Sequence, residues 1–255
     1  MKIQYFSDVH NEMNTTFLYQ KTDADVVVMA GDIDIGNAGL RWALENIKDK
    51  PVLYVLGNHE FYTNRYPDLI SQLKQECAGT HVSVLEKDTV TIEGVHFHGC
   101  SLWTDYAFNN QVLRDQAICQ AMMSDYSYII DAETGKKLLP EQTVKLHQAS
   151  LEWLEQSLMR HSGECNVVIT HHAPNPLSLP EHRRRGSIAA AYVTNLSAFI
   201  TQHAPTLWIH GHCHKVSRYA IGNCTVVCNP GGSGDYVDSF DPEACVVLPV
   251  IKTES

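Results

Sequence analysis

Five short apolar runs in this 255-residue chain each lead, at once or after a single residue, into Asp, Asn or His, and this recurrence constrains the fold more than any other feature. The runs are IQYF, VVVMA, PVLYVL, NVVI and TLWI. Their continuous apolarity is typical of strands that are buried on both faces of a sheet. In sheets whose strands run mainly parallel, ligands collect outside the carboxyl ends of the strands. We therefore predict that the five polar strand ends converge on one site.

The remaining apolar and periodic segments complete an α/β pattern. VSVL, VHFHG, TVVC and ACVVLPV are also predicted to be strands. Helical periodicity occurs in GLRWALENI and YPDLISQLKQEC, and it is clearest from Pro140 to His161, after a proline suited to a first turn. The sequence contains no repeat, low-complexity tract or Pro/Gly/Ser linker. These features predict one α/β domain over residues 1–255, with helices flanking the sheets.

The charge balance limits the partners that this chain can bind. The formal net charge is −10 and the pI is about 5.7, whereas nucleic acids and anionic membranes are bound by basic surfaces. Small anionic substrates remain candidates, because they need only local positive charge. The N-terminal segment MKIQYFSDVH lacks a signal-peptide pattern and no run reaches the ~20 apolar residues of a membrane helix, so a cytoplasmic protein is expected. The eight scattered cysteines are expected to stay reduced.

The stretch WIHGHCH places His210, His212 and His214 at every second position. If a strand continued through this stretch, the three imidazoles would share one face. Imidazole nitrogens and carboxylate oxygens supply the lone pairs that Mn, Fe, Zn, Co or Ni accept, so we interpret these histidines as metal ligands. A zinc site of His212, His214, Cys224 and Cys228 is the rival interpretation. It leaves the four upstream strand ends unexplained, and such sites have closer cysteine spacing.

The ordered motifs resemble those of the calcineurin-like metallophosphoesterase superfamily, in its bacterial dinuclear type. They are Asp8-Val9-His10, Gly31-Asp32, Gly57-Asn58-His59-Glu60, His171 and Gly211-His212-Cys213-His214. The resemblance covers nearly the whole chain and implies two packed mixed β-sheets flanked by helices, with the motif loops at one end. It also implies two divalent or trivalent transition-metal ions. Matched by motif, Asp8, His10 and His214 would hold one ion, Asn58, His171 and His212 would hold the other, and Asp32 would bridge them.

A centre of this kind implies phosphoester hydrolysis. Two cations that share a carboxylate and a hydroxide lower the pKa of the parent water, and they clamp the attacking and leaving oxygens at phosphorus. The resemblance makes His59 the general acid or a transition-state hydrogen-bond donor, and Cys213 is expected to point away from the ligands. We predict hydrolysis of a small phosphomonoester or phosphodiester, with nucleotides among the candidates.

Two alternative functions occur in the same superfamily. Protein-phosphatase members place a second aspartate three residues after the first, but here Asp34 follows Asp32 by two and Ile35 occupies the next position. This difference argues against a protein phosphatase and against an aspartate that supports His59. Other members have lost catalysis and act as scaffolds. The presence of all seven ligand positions together with His59 argues against a scaffold role.

The only dense basic cluster in this acidic chain is His182-Arg183-Arg184-Arg185-Gly186, which follows the His171 motif closely. An arginine among Arg183, Arg184 and Arg185 is a candidate for binding a second phosphate in a bidentate manner. A solvated charged loop explains the same residues equally well.

Two further segments are candidates for the surroundings of the site. Trp103 and Tyr106 either stack on a substrate base and cap the cleft or belong to the core, and the core is favoured for Trp103. Asn229-Pro230-Gly231-Gly232 predicts a tight turn near the site, where glycine permits close approach of the backbone.

Overall fold

A computed structural model describes residues 1–13, 16–232 and 240–248 of the chain. The strands are β1 Lys2–Phe6, β2 Val26–Ala30, β3 Val52–Val55, β4 Arg65–Tyr66, β5 Val82–Leu85, β6 Asp88–Ile92, β7 Val95–Cys100, β8 Ile130–Asp131, β9 Cys165–Thr170, β10 Leu207–His210, β11 Ser217–Ile221, β12 Cys224–Cys228 and β13 Cys245–Val247. The helices are α1 Ala38–Asn46, α2 Asp68–Glu76, α3 Val112–Met122, α4 Asp125–Tyr128, α5 Pro140–Arg160 and α6 Ser197–His203. None of the helices in these three ranges is long and apolar enough to cross a membrane.

Two mixed sheets form the centre of the fold. The first has five strands in the order β13-β1-β2-β3-β5, and only β13 runs antiparallel to its neighbour. The second has six strands in the order β11-β12-β10-β9-β7-β6, with antiparallel pairing at its two edges. Strands β4 and β8 form a small separate pair. The predicted fold of two packed mixed sheets flanked by helices is confirmed.

The two sheets pack face to face through one apolar cluster, and helices cover their outer faces. The cluster between the sheets includes Val26, Val28, Leu53, Val167, Ile169, Leu207 and Ile209. On the outer face of the first sheet, Leu40 from α1 and Leu73 from α2 pack against the strands. On the outer face of the second sheet, Leu154 from α5 and Ile200 from α6 do the same. Burial on both faces explains why the central strands are apolar at successive positions.

All nine predicted strands are present within the described residues, although residues 249 and 250 of the last predicted run lie outside them. The three predicted helices are also present, as α1, α2 and α5. The sequence reading missed the edge strands β6 and β11, which are partly solvated and therefore less apolar. It also missed α3, which lacks a clear apolar stripe, and the short α6. All eight cysteines are unpaired.

Candidate metal centre

The seven predicted ligands lie just beyond the carboxyl ends of five strands. They are Asp8 and His10 after β1, Asp32 after β2, Asn58 after β3, His171 after β9, and His212 and His214 after β10. All except His214 are buried. The first three strands belong to one sheet and the last two to the other. The site therefore lies at the end of the sandwich where the carboxyl ends of strands from both sheets come together.

The backbone at this site is held in a conformation that side-chain-bearing residues rarely adopt. The φ angles are +51° at Asp8, +46° at His10, +56° at Asp32, +67° at His212 and +48° at His214. A left-handed conformation at a residue other than glycine costs on the order of 1–3 kcal/mol, and such residues cluster at functional sites. Five of the seven predicted ligands share this feature.

One prediction from the WIHGHCH stretch is wrong. Strand β10 ends at His210, and the left-handed residues His212 and His214 follow in a loop, so the three histidines do not share a strand face. The Nε2 atom of His210 lies 2.7 Å from Ser178 Oγ, and its Nδ1 lies 2.8 Å from the Gly211 carbonyl oxygen. His210 is therefore a buried, hydrogen-bonded core residue and does not face the site. Its alternation with His212 and His214 is no evidence of a shared function.

Glycines precede three of the strand-end ligands because a side chain would occupy the ligands' space. A Cβ atom on Gly57 would overlap the Asp32 carboxylate, and one on Gly31 would overlap the His171 ring. A Cβ atom on Gly211 would lie 2.7 Å from Asp8 Oδ2. Each of these glycines thus makes room for a candidate ligand from another strand.

Four donor atoms face one point in the more buried half of the site. The Nδ1 atom of His171 lies 2.9 Å from the Ala30 carbonyl oxygen, which assigns the ring proton to Nδ1 and leaves a lone pair on Nε2. That Nε2 lies 3.0 Å from Asn58 Oδ1, 3.1 Å from His212 Nδ1 and 3.3 Å from Asp32 Oδ2. When the imidazoles are neutral, these four atoms present lone pairs to one another and no hydrogen. A metal cation between them would accept all four lone pairs.

The other half of the site repeats this arrangement. The Nδ1 atom of His10 lies 3.0 Å from the carboxylate of Glu12, which leaves the Nε2 lone pair directed inward. Nε2 lies 3.2 Å from His214 Nε2, which in turn lies 3.3 Å from Asp8 Oδ1. Asp32 Oδ2 lies 3.9 Å from His10 Nε2, so the Asp32 carboxylate stands between the two halves. The donor atoms present therefore fit two metal ions.

Electrostatics keep the central carboxylate ready to bind a cation. Burial on its own would raise the pKa of Asp32, but the positive charge of the neighbouring His171 and His59 imidazoles in their protonated form outweighs it and holds that pKa well below its usual range. Asp32 is therefore ionised at neutral pH, as a metal-binding carboxylate must be.

His59 lies beside the two groups and is held by a carboxylate that the sequence reading missed. Its Nδ1 atom lies 2.8 Å from Glu12 Oε1, and its ring stacks on Tyr62 at a centroid distance of 4.3 Å. Its Nε2 atom lies 4.0 Å from Asp32 Oδ2, and its side chain is 16% exposed. Asp34 instead accepts a hydrogen bond from the Ile35 backbone N–H at 2.7 Å. His59 thus has carboxylate support from Glu12, not from an aspartate near position 35.

Two other buried carboxylates organise the loops around the candidate ligands. Glu60 accepts hydrogen bonds from the backbone N–H groups of Asp32, Ile33 and Gly57, at 3.0, 2.8 and 2.7 Å. Asp125 Oδ1 accepts a hydrogen bond from Asn58 Nδ2 at 2.8 Å, which turns Asn58 Oδ1 toward the site. Glu60 is the last residue of a motif recognised in the sequence. Asp125 has no local signal, because only the fold brings α4 to Asn58.

A narrow cleft opens above the candidate metal centre, with a volume of about 200 Å³. Its walls include His59, Tyr62, Asp125, Arg183 and Tyr192. The three arginines of the basic cluster are placed differently. Arg183 lines the cleft, whereas Arg184 donates to the Leu177 carbonyl oxygen at 3.4 Å and Arg185 is exposed.

Trp103 and Tyr106 belong to the core and do not cap the cleft. The Trp103 ring packs against His172 at 4.9 Å and is 3% exposed. The Tyr106 hydroxyl is hydrogen-bonded to that of Tyr126. In the predicted tight turn, Gly231 packs closely on Val9, where a Cβ atom would overlap the Val9 side chain.

The rival zinc site is not assembled. Cys224 packs in the cluster under α5 and α6, where burial raises the pKa of its thiol to about 12. Cys213 is fully buried and packs with Ala173, Leu179 and Val193, so it points away from His212 and His214 as expected. Among the described residues, neither Cys224 nor Cys228 belongs to a group of side chains that could hold a metal.

The two-sheet fold and the paired donor groups are the features expected of a metal-dependent phosphoester hydrolase, the class that the family match supports. The chain belongs to the calcineurin-like phosphoesterase family, whose model matches residues 1–216. The family depends on a dinuclear metal centre, and the clustered donor atoms found here fit that requirement.

Several solved structures share the fold at low sequence identity. The phosphopantetheinyl hydrolase of Mycobacterium tuberculosis superimposes with a TM-score of 0.70 at 17% identity, covering 91% of this chain and 89% of its own. A dimetal phosphatase of Danio rerio gives 0.54 at 15% identity, with 89% and 86% coverage. GAP50, the anchor in the inner membrane complex of Plasmodium, gives 0.52 at 12% identity, with 95% and 76% coverage. A search of curated protein sequences found no match.

Proposed function

We propose that this protein hydrolyses a small phosphomonoester or phosphodiester, with nucleotides among the candidate substrates. The observation that carries the proposal is the presence of two groups of candidate metal ligands that share Asp32 and lie beneath a narrow cleft. When bound there, two transition-metal ions supply Lewis acidity and an activated water at phosphorus. The ligands of one ion are Asp8, His10 and His214, those of the other are Asn58, His171 and His212, and Asp32 belongs to both.

The protein's own residues supply positioning and hydrogen bonding in this proposal. His59 lines the cleft and Glu12 holds its Nδ1 atom, which leaves Nε2 as the nitrogen available to a phosphoryl group bound at the centre. It donates either a proton to the departing oxygen or a hydrogen bond to a non-bridging phosphoryl oxygen. The small cleft favours a small substrate over a folded phosphoprotein, so a protein phosphatase is the second candidate.

The catalytic proposal is tested by measuring product release from protein reconstituted with Mn. The panel contains phosphomonoesters, cyclic nucleotides, dinucleotides and phosphopeptides. Phosphopantetheinyl compounds are added because one solved structure with a similar fold is that of a phosphopantetheinyl hydrolase. Turnover of the small phosphoesters is expected. Turnover of phosphopeptides alone would support the protein phosphatase, and no turnover with both ions bound would support the scaffold role.

The dinuclear assignment has a separate test. Elemental analysis of metal-loaded protein should find two ions per chain, and the Asp32→Ala variant should retain neither, because that carboxylate serves both groups. At most one ion in the wild type would exclude the dinuclear centre. Loss of a single ion in the variant would mean that Asp32 is not the bridge.

The role of His59 is tested by comparing substrates whose leaving groups differ in their need for a proton. A His59→Ala variant that keeps both ions should lose ~10²–10⁴-fold on alkyl phosphates if His59 is a general acid. It should lose much less on nitrophenyl phosphates, because nitrophenolate departs without protonation. Equal losses of kcat/KM on both substrates would assign His59 to hydrogen bonding with a phosphoryl oxygen. Loss of metal would mean that His59 supports the site structurally.

We also propose that the protein is cytoplasmic. The support is the set of eight unpaired cysteines, because disulfides form and persist in oxidising compartments.

A further inference from the structure

A second cavity of about 340 Å³ adjoins the cleft above the candidate metal centre. We call this second cavity the apolar chamber. It is lined by Leu179, His182, Arg183, Gly186, Ile188, Ala189 and Tyr192. Arg183, Ile188 and Tyr192 also line the cleft, so the two cavities share a wall. A substrate bound at the centre therefore has a second compartment beside it.

The chemistry of the chamber differs from that of the cleft. The cleft contains the carboxylates of Asp32 and Asp125 together with four histidine or amide side chains, whereas none of the described residues that line the chamber carries a carboxylate. Leu179 and Ala189, which form part of its inner wall, are 1% and 2% exposed. Besides backbone groups, the polar side chains available are those of His182, Arg183 and Tyr192. Such a compartment suits an uncharged, largely aliphatic group, because the apolar surface of that group would be removed from water on binding. Few polar groups are present to form hydrogen bonds with a nucleotide base.

The junction between the two compartments carries positive charge. Arg183 lines both of them, while Arg184 is directed to the Leu177 carbonyl oxygen and Arg185 is exposed. A guanidinium binds a phosphate or carboxylate through two parallel hydrogen bonds. A substrate that extends from the metal centre into the chamber would thus pass beside one arginine.

We propose that the substrate is a phosphoester with an aliphatic arm, that the apolar chamber binds this arm, and that Arg183 binds a second anionic group between the arm and the scissile phosphoryl group. This inference rests on the proposed phosphoesterase function and names its substrate class. The wall that the two cavities share and the position of Arg183 in that wall carry it.

Binding of n-alkylphosphonates, from methyl to octyl, tests the arm. These probes are not hydrolysed, so calorimetry with the metal-loaded protein measures affinity independently of catalysis. Each methylene that enters the chamber should lower Kd by about 4-fold at most, from ~0.8 kcal/mol per buried methylene, until the chamber is full. A Kd that does not change with chain length would overturn the proposal.

Two variants of the chamber wall give opposite expectations. Ala189→Phe fills the chamber and should abolish the dependence of Kd on chain length. Leu179→Ala enlarges it and should move the best-bound phosphonate to a longer chain. If Ala189→Phe does not fold, Leu179→Ala still tests the proposal. An unchanged chain length of the best-bound phosphonate in Leu179→Ala would contradict it. Leu177→Ala, at a neighbouring position that is 47% exposed, is the control and should behave as wild type.

The arginine is tested by comparing alkyl phosphates with and without a second phosphate group. Arg183→Gln should raise the ratio of the bisphosphate KM to the monophosphate KM at least 10-fold, because in this proposal the guanidinium binds the second phosphate and not the scissile one. Arg185→Gln should leave this ratio unchanged. Equal ratios in wild type and Arg183→Gln would remove Arg183 from the proposal.

The same samples separate this inference from the proposed function. If alkyl phosphates are hydrolysed at rates and KM values that do not depend on chain length, the phosphoesterase stands and the chamber assignment fails. If the phosphonates bind with the expected length dependence but no phosphoester in the panel is hydrolysed, the function fails and the chamber remains a binding site for aliphatic anions.

Discussion

At the scale of single residues, Glu12 connects the two kinds of chemistry at the site. Its Oε1 atom lies 3.0 Å from His10 Nδ1 and 2.8 Å from His59 Nδ1, so it holds both a candidate metal ligand and the candidate proton donor. Burial opposes the charge on Glu12, but the two imidazole hydrogen bonds outweigh it and lower its pKa to about 2. Outer partners of this kind fix the tautomer and orientation of the imidazoles that they contact.

Replacing Glu12 with glutamine should lower kcat/KM by about 10–100-fold, the usual effect of removing a carboxylate that orients a metal-binding histidine. Steady-state kinetics at saturating metal, together with a metal titration, would check this. Asp34→Asn is the matched control, because the Asp34 carboxylate contacts the Ile35 backbone N–H and should be dispensable. Wild-type kinetics and metal affinity in Glu12→Gln would show that the contact has no functional weight.

Gly57 provides a test of the space that the ligands need. Gly57→Ala places a methyl group in the volume of the Asp32 carboxylate, so the variant should lose metal and activity together. Gly135→Ala is the control for general destabilisation. Gly135 has a φ of +69° and open space around it, so this variant should lose on the order of 1 kcal/mol of stability and keep both ions. Full metal content in Gly57→Ala would contradict the steric assignment.

At the scale of elements, a buried polar contact joins β7, β9 and α5. His98 Nε2 lies 2.8 Å from Asn166 Oδ1 on β9, and His98 Nδ1 lies 2.9 Å from Ser157 Oγ on α5. Burial, with a smaller contribution from nearby imidazoles, lowers the pKa of His98 to about 4. The neutral ring therefore fits the fold, donating through Nε2 and accepting at Nδ1.

This contact should make the protein sensitive to acid. Between pH 6.5 and 4 the unfolded chain protonates His98 while the folded chain does not, so the free energy of unfolding falls as the pH falls through this window. The loss attributable to His98 is at most about 3 kcal/mol at pH 4. Denaturant unfolding of metal-free wild type and His98→Gln at several pH values measures it. The variant should show the shallower decline, and parallel curves would contradict the assignment.

At the scale of the whole molecule, the candidate metal centre joins the two sheets. Asp8, Asp32 and Asn58 follow strands of the first sheet, whereas His171 and His212 follow strands of the second. Ions bound between these residues would be held only by the folded protein. Metal binding should therefore stabilise the packing of one sheet on the other.

Removing metal should lower Tm. At a free metal concentration about 1,000 times Kd, one ion stabilises the folded state by about 4 kcal/mol. For a chain of this length, that corresponds to a Tm about 8–16 °C higher. Calorimetry of metal-loaded and chelator-treated protein would measure the difference, and Asp32→Ala should show almost none. Equal Tm values for the loaded and stripped wild type would mean that the ions do not connect the sheets.

The sequence by itself determined the central strands, the main helices and the strand ends that carry the candidate ligands. It could do so because burial on both faces leaves a continuous apolar run, and because Asp8, Asp32 and Asn58 each stand one residue after such a run. The edge strand β6 escaped detection because partial solvation removes that pattern.

The tertiary structure alone decided which other polar residues lie against the candidate ligands. His210 and His212 have the same spacing pattern in the sequence, but the left-handed φ at His212 turns one histidine into the site and leaves the other in the core. Asp125 reaches Asn58, and Arg183 rather than Arg185 reaches the cleft, through contacts between segments far apart in the chain. Local sequence patterns report burial and backbone preference, whereas these pairings depend on how distant segments pack, and no local pattern records that.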